Sequence, residues 1–343
     1  MPRLTRRGFL KLAALSSGAL LAPPFPPDEE TPFSQPLQGR VTTTQVSVFS
    51  LPRDDARIVK QLFRDRVFPI YDTQTPPTGP SWNPVWYRVW GGYVHSAHVQ
   101  LVQTRFNPAV SLPAGGTLGE ITVPYANSMR YSSAAGWTPL YRLYYQTTHW
   151  ITGLTEGPDR SPWYEITDEL GDTRFFVPAS GVRLLPEDEL SPISPDLPFE
   201  AKRVEVELAR QTITAYENGE VVFHTKVSTG IQSNATTNGI PTNTPAGTFN
   251  ISVKMPSKHM GEGRLTDNLE DYELVGVPWT AFFDPRGYAI HGAYWHNNFG
   301  VPMSRGCINL KPDEAKWLFR WLTPVSEAHA VDTRGFGTRL EIF

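Results

Sequence analysis

Thirty-two prolines run through the 343 residues of this chain. Proline fixes φ and lacks a backbone N–H, so it suits turns and edge strands and breaks helix interiors. Long helices, a coiled coil included, are thereby excluded. With 27 glycines, proline makes up 17% of the chain, below the roughly 25–30% that marks low complexity. Hydrophobic residues are 40% of the total, enough for a buried core. No apolar run approaches the ~20 residues of a membrane span.

The formal charge is −3. Residues 1–22 carry Arg3, Arg6, Arg7 and Lys11 and no acid, which leaves the remainder at −7. A mildly acidic body with no basic block argues against nucleic acid as a partner, because such binding rests on Lys and Arg neutralising phosphates. Thr5-Arg6-Arg7-Gly8-Phe9-Leu10-Lys11 stands before a mostly apolar run from Leu12 to Ala22. This charged-then-apolar order resembles a twin-arginine export signal. It implies transient contact with the twin-arginine machinery and a place at the cell wall, in the periplasm or on the extracellular face. Leu20-Leu21-Ala22 is an imperfect cleavage site, so retention as a membrane tether stays open.

Residues 23–44 and 187–200 read as proline-spaced linkers. The region between them carries an internal echo. Trp86-Tyr87-Arg88-Val89 is followed by Val94, Val99 and Leu101; Trp163-Tyr164-Glu165-Ile166 is followed by Val177, Val182 and Leu184. Two copies are too few for a solenoid and suit two small β modules, over 45–105 and 106–186. They resemble the SH3-like barrels attached to bacterial cell-wall enzymes, which implies the wall polymer as a partner. The alternative is that both Trp-Tyr pairs are ordinary core residues.

Beyond residue 200 the pattern is mainly β. Val204, Val206 and Leu208 alternate as in a half-buried strand. Asn218-Gly219 between apolar runs predicts a type I′ hairpin, and Thr244-Pro245-Ala246-Gly247 leads into another strand. One helix is predicted over 312–322. Pro312 begins it, Asp313 and Glu314 suit its first turn, Pro324 stops it, and Ala315, Leu318, Phe319 and Leu322 share a face.

The chemistry concentrates in residues 289–310. Cys307 is the only cysteine, so it cannot pair within the chain; it is either a reactive thiol or a small buried hydrophobe. A thiol needs a base to become a nucleophile, and a nearby imidazole can take its proton and later return it to a leaving amine. His291 and His296 are the candidates. Backbone N–H groups around Arg305, Gly306 and Cys307 could stabilise an oxyanion. The spacings H-x4-H and H-x10-C fit no usual zinc pattern, so neither metal nor cofactor is expected.

His291-Gly292, Gly300 and Ser304-Arg305-Gly306-Cys307-Ile308-Asn309, together with the Asn218-Gly219 hairpin and Thr244–Gly247, resemble the L,D-transpeptidase catalytic domain (YkuD-like family) over about 200–343. The resemblance implies a β-sandwich domain with a late helix over 201–343. It also implies a thioester on Cys307, His291 as base, and release of a terminal D-amino acid from a peptidoglycan stem peptide. The acyl group then passes to an amine on a neighbouring stem, forming a 3-3 cross-link. Carbapenems react with the family. Gly306 and Arg305 fall in the oxyanion region, and Gly292, Tyr294, His296, Ser304 and Asn309 are candidate substrate contacts. Lys258-His259-Met260 is a candidate edge of the cleft, on a loop with Gly261 and Gly263. Arg305 departs from the family's usual His at its place; Arg donates hydrogen bonds but does not shuttle protons. Water as acceptor would make the protein an L,D-carboxypeptidase, and a non-catalytic wall-binding protein is the alternative from another class.

Overall fold

The computed structural model describes residues 37–343, except 78–79, 171–172, 234 and 238. The expected export signal lies outside the described residues, as does the linker up to residue 36.

The end of that linker is structured. Gln38–Val41 is a strand that pairs antiparallel with Val67–Pro69 on one side and Val99–Val102 on the other. The first β unit therefore begins at 38 and not at 45. Its sequence explains this: Val41 is fully buried in the unit's core beside Val48, Tyr87 and Val99. A five-stranded sheet completes the unit, in the order Ile58–Phe63, Gln45–Phe49, Gly92–His95, Trp86–Val89, Asp72–Gln74.

The second unit is one seven-stranded sheet. Its order is Gly136–Tyr144, Tyr125–Ser132, Arg174–Pro178, Pro162–Thr167, Thr148–Glu156, Thr117–Ile121, Val182–Leu184. The sequence echo has a structural counterpart. In each unit a Trp-Tyr strand is followed by a strand, a three-residue 3-10 turn (Ser96–His98 or Ala179–Gly181) and a short final strand. Trp86, Tyr87, Trp163 and Tyr164 are all buried, as core residues of their units.

The C-terminal unit packs two five-stranded sheets. One runs Glu220–Lys226, Thr212–Glu217, Lys202–Glu207, Arg339–Ile342, Gly247–Asn250. The other runs Ile308–Leu310, Ala289–Gly292, Glu273–Phe282, Val253–Gly261, Thr333–Arg334. Val204, Val206, Ile213 and Ala215 from the first share one apolar cluster with Trp279, Ala281, Ile290 and Ile308 from the second. Asn218 and Gly219 take φ of 50° and 90° at the hairpin tip, as a type I′ turn requires. The helix spans Pro312–Trp321 and buries Ala315, Leu318 and Phe319, with Leu322 buried just beyond its end.

The stretch 187–200 is pinned along the helix rather than spacing two bodies. Glu189 pairs with Arg183 and with Lys316 (2.5 Å), and Arg320 Nε donates to Ser191 O at 2.7 Å.

Candidate active site

A parallel strand pair aims three residues of the cysteine motif at one place. Ala289–Gly292 and Ile308–Leu310 pair with Ile290 opposite Ile308 and His291 opposite Asn309. Side chains alternate along a strand, and paired residues share a face. Ile290 and Ile308 enter the apolar core. His291 and Asn309 take the other face, and Cys307, two residues before Asn309, joins them. All three line a cavity of about 550 Å3.

The resting pair is neutral. Burial lowers the His291 pKa to about 4 and raises that of the Cys307 thiol to about 11, the latter opposed by a backbone hydrogen bond from Ala289. His291 Nδ1 lies 3.1 Å from Gly292 O. A carbonyl only accepts, so Nδ1 carries the proton and Nε2 is left as an acceptor. That is the tautomer a general base needs. Cys307 is half-buried, and its thiol donates to Gly287 O at 4.0 Å.

The turn before the cysteine is built around Ser304. Its Oγ donates to Cys307 O at 2.5 Å and accepts from Gly306 N at 3.1 Å. The Gly306 N–H, expected among the oxyanion donors, is therefore engaged in the turn; the backbone N–H groups of Arg305 and Cys307 are the others in that expectation. Gly306 has φ of 114°, and a Cβ there would lie 2.2 Å from Tyr288 Cε1. Thr244 Oγ1 donates to Gly306 O and accepts from Gly230 N, both at 2.8 Å, so the Thr-Pro-Ala-Gly segment braces this turn.

His296 is committed to the protein. Burial lowers its pKa to about 3, so the ring is neutral at pH 7. Asn298 N–H donates to its Nδ1 at 3.2 Å, which places the ring proton on Nε2. The Asn309 amide nitrogen lies 3.0 Å from Nε2, and Asn309 Oδ1 has no partner. Two donors do not bond each other. A half-turn of the Asn309 amide brings Oδ1 to the Nε2 proton and satisfies both groups. His296 thus holds Asn309, although it also borders the cavity.

Other expected contacts are placed differently. Gly292 is outside the cavity lining: a Cβ on it would sit 2.9 Å from Pro278 Cγ and 3.0 Å from Pro312 Cα, so the glycine lets strand and helix approach. Tyr294 does line the cavity, though it is largely buried, its ring stacked on Tyr144 (5.5 Å) and its carbonyl accepting from Arg40 Nη2 (3.2 Å). Lys258, His259 and Met260 belong to a strand and not to a loop. Of the three only Met260 lines the cavity. His259 lies buried between Asp168 and Glu273, at 2.9 Å from each. Burial opposes its protonation, but the two carboxylates outweigh that and raise its pKa.

Sequence reasoning missed the opposite wall. Arg40, Arg64 and His98 of the first unit and Tyr141, Arg142 and Tyr144 of the second line the same cavity as Cys307. Asp65 ties them together, with Arg40 Nη1 at 2.7 Å and Arg142 Nη1 at 2.6 Å. No local pattern links residue 40 to residue 294. Neither charge stood out locally: Arg40 follows Gln38 and Gly39, and Asp65 stands between Arg64 and Arg66.

The matched span takes in the whole cysteine motif and most of both sheets, stopping before the strand Arg339–Ile342. Residues 201–333 match the family model of the L,D-transpeptidase catalytic domain (YkuD). Solved structures similar to the chain are likewise L,D-transpeptidases. The catalytic domain of the E. faecium L,D-transpeptidase is 26% identical, over 41% of this chain and 96% of that chain, with a TM-score of 0.30. An L,D-transpeptidase from Mycobacterium smegmatis is 20% identical, over 72% and 92%, with a TM-score of 0.32. L,D-transpeptidase 3 from Mycobacterium tuberculosis, in complex with a faropenem-derived adduct, is 19% identical over 41% and 60%, with a TM-score of 0.31. No curated protein matches the chain. Within the matched span, His291, Ser304, Arg305, Cys307 and Asn309 are the residues that the motif and the cavity have in common.

Proposed function

We propose that this chain is an exported L,D-transpeptidase acting on peptidoglycan stem peptides. One observation carries the reading: within the matched span, Cys307 and a His291 whose tautomer leaves Nε2 as an acceptor lie on one face of a parallel strand pair and share one cavity. As substrate binds, His291 Nε2 takes the thiol proton and Sγ attacks the carbonyl before the terminal D-residue. The backbone N–H groups of Cys307 and Arg305 receive the oxyanion. The C–N bond then breaks, the imidazolium returns its proton to the leaving amine, and a thioester remains on Cys307. An acceptor amine attacks the thioester and gives its proton to His291, which passes it to the departing sulfur. Ser304 fixes the turn, and Asn309 orders the floor. The two N-terminal β units, SH3-like by their echo, place the enzyme on the wall polymer and raise its local concentration there. The twin-arginine-type signal delivers the chain to the cell wall or periplasm.

The test follows a tetrapeptide stem with and without an acceptor amine, by mass analysis of products. Cross-linked dimers support transpeptidation, and tripeptide alone supports the carboxypeptidase. A carbapenem should add its mass to the wild type and not to Cys307→Ala. Absence of both turnover and adduct in the folded wild type overturns the reading.

A further inference from the structure

We infer that the Arg305 side chain binds the α-carboxylate of the D-residue expelled from the donor, restricting the enzyme to stems that end in a free acid. The inference rests on the proposed reaction and specifies its donor.

Four arginines line the cavity around Cys307: Arg40, Arg64, Arg142 and Arg305. Three are matched to carboxylates. Arg40 and Arg142 share Asp65, at 2.7 and 2.6 Å, and Arg64 meets Glu270 at 3.3 Å. Among the described residues, Arg305 has no carboxylate within 4.0 Å. The cavity's own acids do not serve it: Glu273 is on His259, Asp271 lies 3.7 Å from Arg264, and Asp267 is exposed. Arg305 is exposed, and its guanidinium carbon sits 4.3 Å from the centre of the Tyr272 ring. Stacking uses the flat face of a guanidinium and leaves its N–H edge open for a planar, bidentate anion.

The platform is held from two sides. Arg64 of the first unit donates to Leu269 O, and Tyr141 of the second donates to Arg264 O at 3.1 Å; both acceptors are on the segment that leads into Tyr272. Arg305 also lines an adjoining shallow cavity of about 470 Å3 with Ile231, Ser233 and Thr242. It therefore borders both cavities, two residues before Cys307.

The chemistry fixes which anion would arrive there. Once Sγ attacks the carbonyl, the scissile nitrogen carries the expelled residue, whose α-carbon follows that nitrogen and bears the carboxylate. This carboxylate is the donor's last group and travels with the leaving amine. Imidazole at the same position would offer single N–H contacts; guanidinium offers a paired edge that matches two oxygens. The replacement of His by Arg beside Gly306 is thereby a change in what the site recognises, with the thiol and its base unaltered.

The experiment measures single-turnover thioester formation at Cys307 in the whole chain, by intact mass. The donors are a tetrapeptide stem ending in a D-amino acid and the same peptide with a terminal carboxamide. The wild type should acylate roughly 10- to 100-fold faster with the acid, the range of one charge-assisted contact. Arg305→Gln should lose that preference by slowing on the acid alone, and Arg305→Lys should keep part of it. The acid-to-amide ratio is internal to each variant, so general damage to the fold lowers both rates and does not imitate the effect. Equal wild-type rates, or an undiminished preference in Arg305→Gln, overturn the inference and leave the cysteine chemistry standing. No acylation of the wild type by either donor overturns the proposed reaction and this inference with it.

Discussion

At the scale of single residues, burial sets the protonation of the pair proposed to react, Cys307 and His291. A thiol held at about 11 and an imidazole held at about 4 stay neutral together across the physiological range. The base must be unprotonated, so activity should fall on the acid side only near pH 4, where His291 takes up a proton, and not near the ordinary histidine value of ~6.5. Alkylation by iodoacetamide needs the thiolate, so its rate should keep rising past pH 9 and not level off near the free-cysteine value of ~8.5. An acid limb at pH 6.5, or an alkylation plateau at 8.5, would contradict the assignment. Gly306 is constrained on two counts, its φ of 114° and its contact with Tyr288. Gly306→Ala should lower stability by at least about 2 kcal/mol, read by thermal unfolding, and should abolish acylation of Cys307. The proposed nucleophile and base, and this glycine, could be singled out in the sequence because each depends on near neighbours: a cysteine with no partner, an imidazole sixteen residues before it, and a glycine where the chain must turn.

At the scale of the element, the helix Pro312–Trp321 ends on two buried lysines. Lys202 Nζ donates to Trp321 O (2.9 Å) and Lys254 Nζ to Leu322 O (2.7 Å). Cations suit a helix C-terminus, where carbonyls are unsatisfied and the dipole is negative. Burial, with Lys202 nearby, lowers the Lys254 pKa to about 7, whereas the unfolded value is 10.5. Between these values the unfolded state binds the extra proton, so stability from this group rises as pH increases from 7 to about 10, by about 4 kcal/mol. Below pH 7 both states are protonated and the contribution is flat. Lys254→Met should remove that slope from a series of chemical denaturations at stepped pH, whatever it does to stability at any one pH. The helix itself was readable from Pro312, its first-turn acids and its apolar face. Its lysine cap was not: Lys202 and Lys254 lie on strands far away in sequence, and although Lys202 shares the face of Val204 and Val206, nothing local says that it meets the end of this helix.

At the scale of the whole molecule, the cavity belongs to three units at once, and Asp65 is the joint. It holds Arg40 of its own unit and Arg142 of the second, while Tyr144 OH donates to it at 3.3 Å. Arg40 is only 2% exposed and also reaches Gln100 and the Tyr294 carbonyl. The sequence suggested two β units before residue 200, a stretch that is built of β sheets. It did not reveal that they form a wall of the site, because contacts between residues such as Arg40 and Tyr294, or Tyr144 and Tyr294, carry no periodicity and no spacing. Removing one member of a buried pair leaves an uncompensated charge, which costs about 3–5 kcal/mol. Asp65→Asn keeps the shape and removes the charge that serves two arginines. It should lower stability by that order. It should also loosen the wall over the sulfur, so that alkylation of Cys307 speeds up while acylation by the peptide donor slows. Opposite movement of the two rates is the signature, since simple damage around Cys307 would slow both. The double variant Asp65→Asn with Arg40→Gln should recover part of the lost stability, because the buried charge then goes with its partner. A double variant less stable than Asp65→Asn alone, with both rates unchanged, would show that the wall stands without this joint.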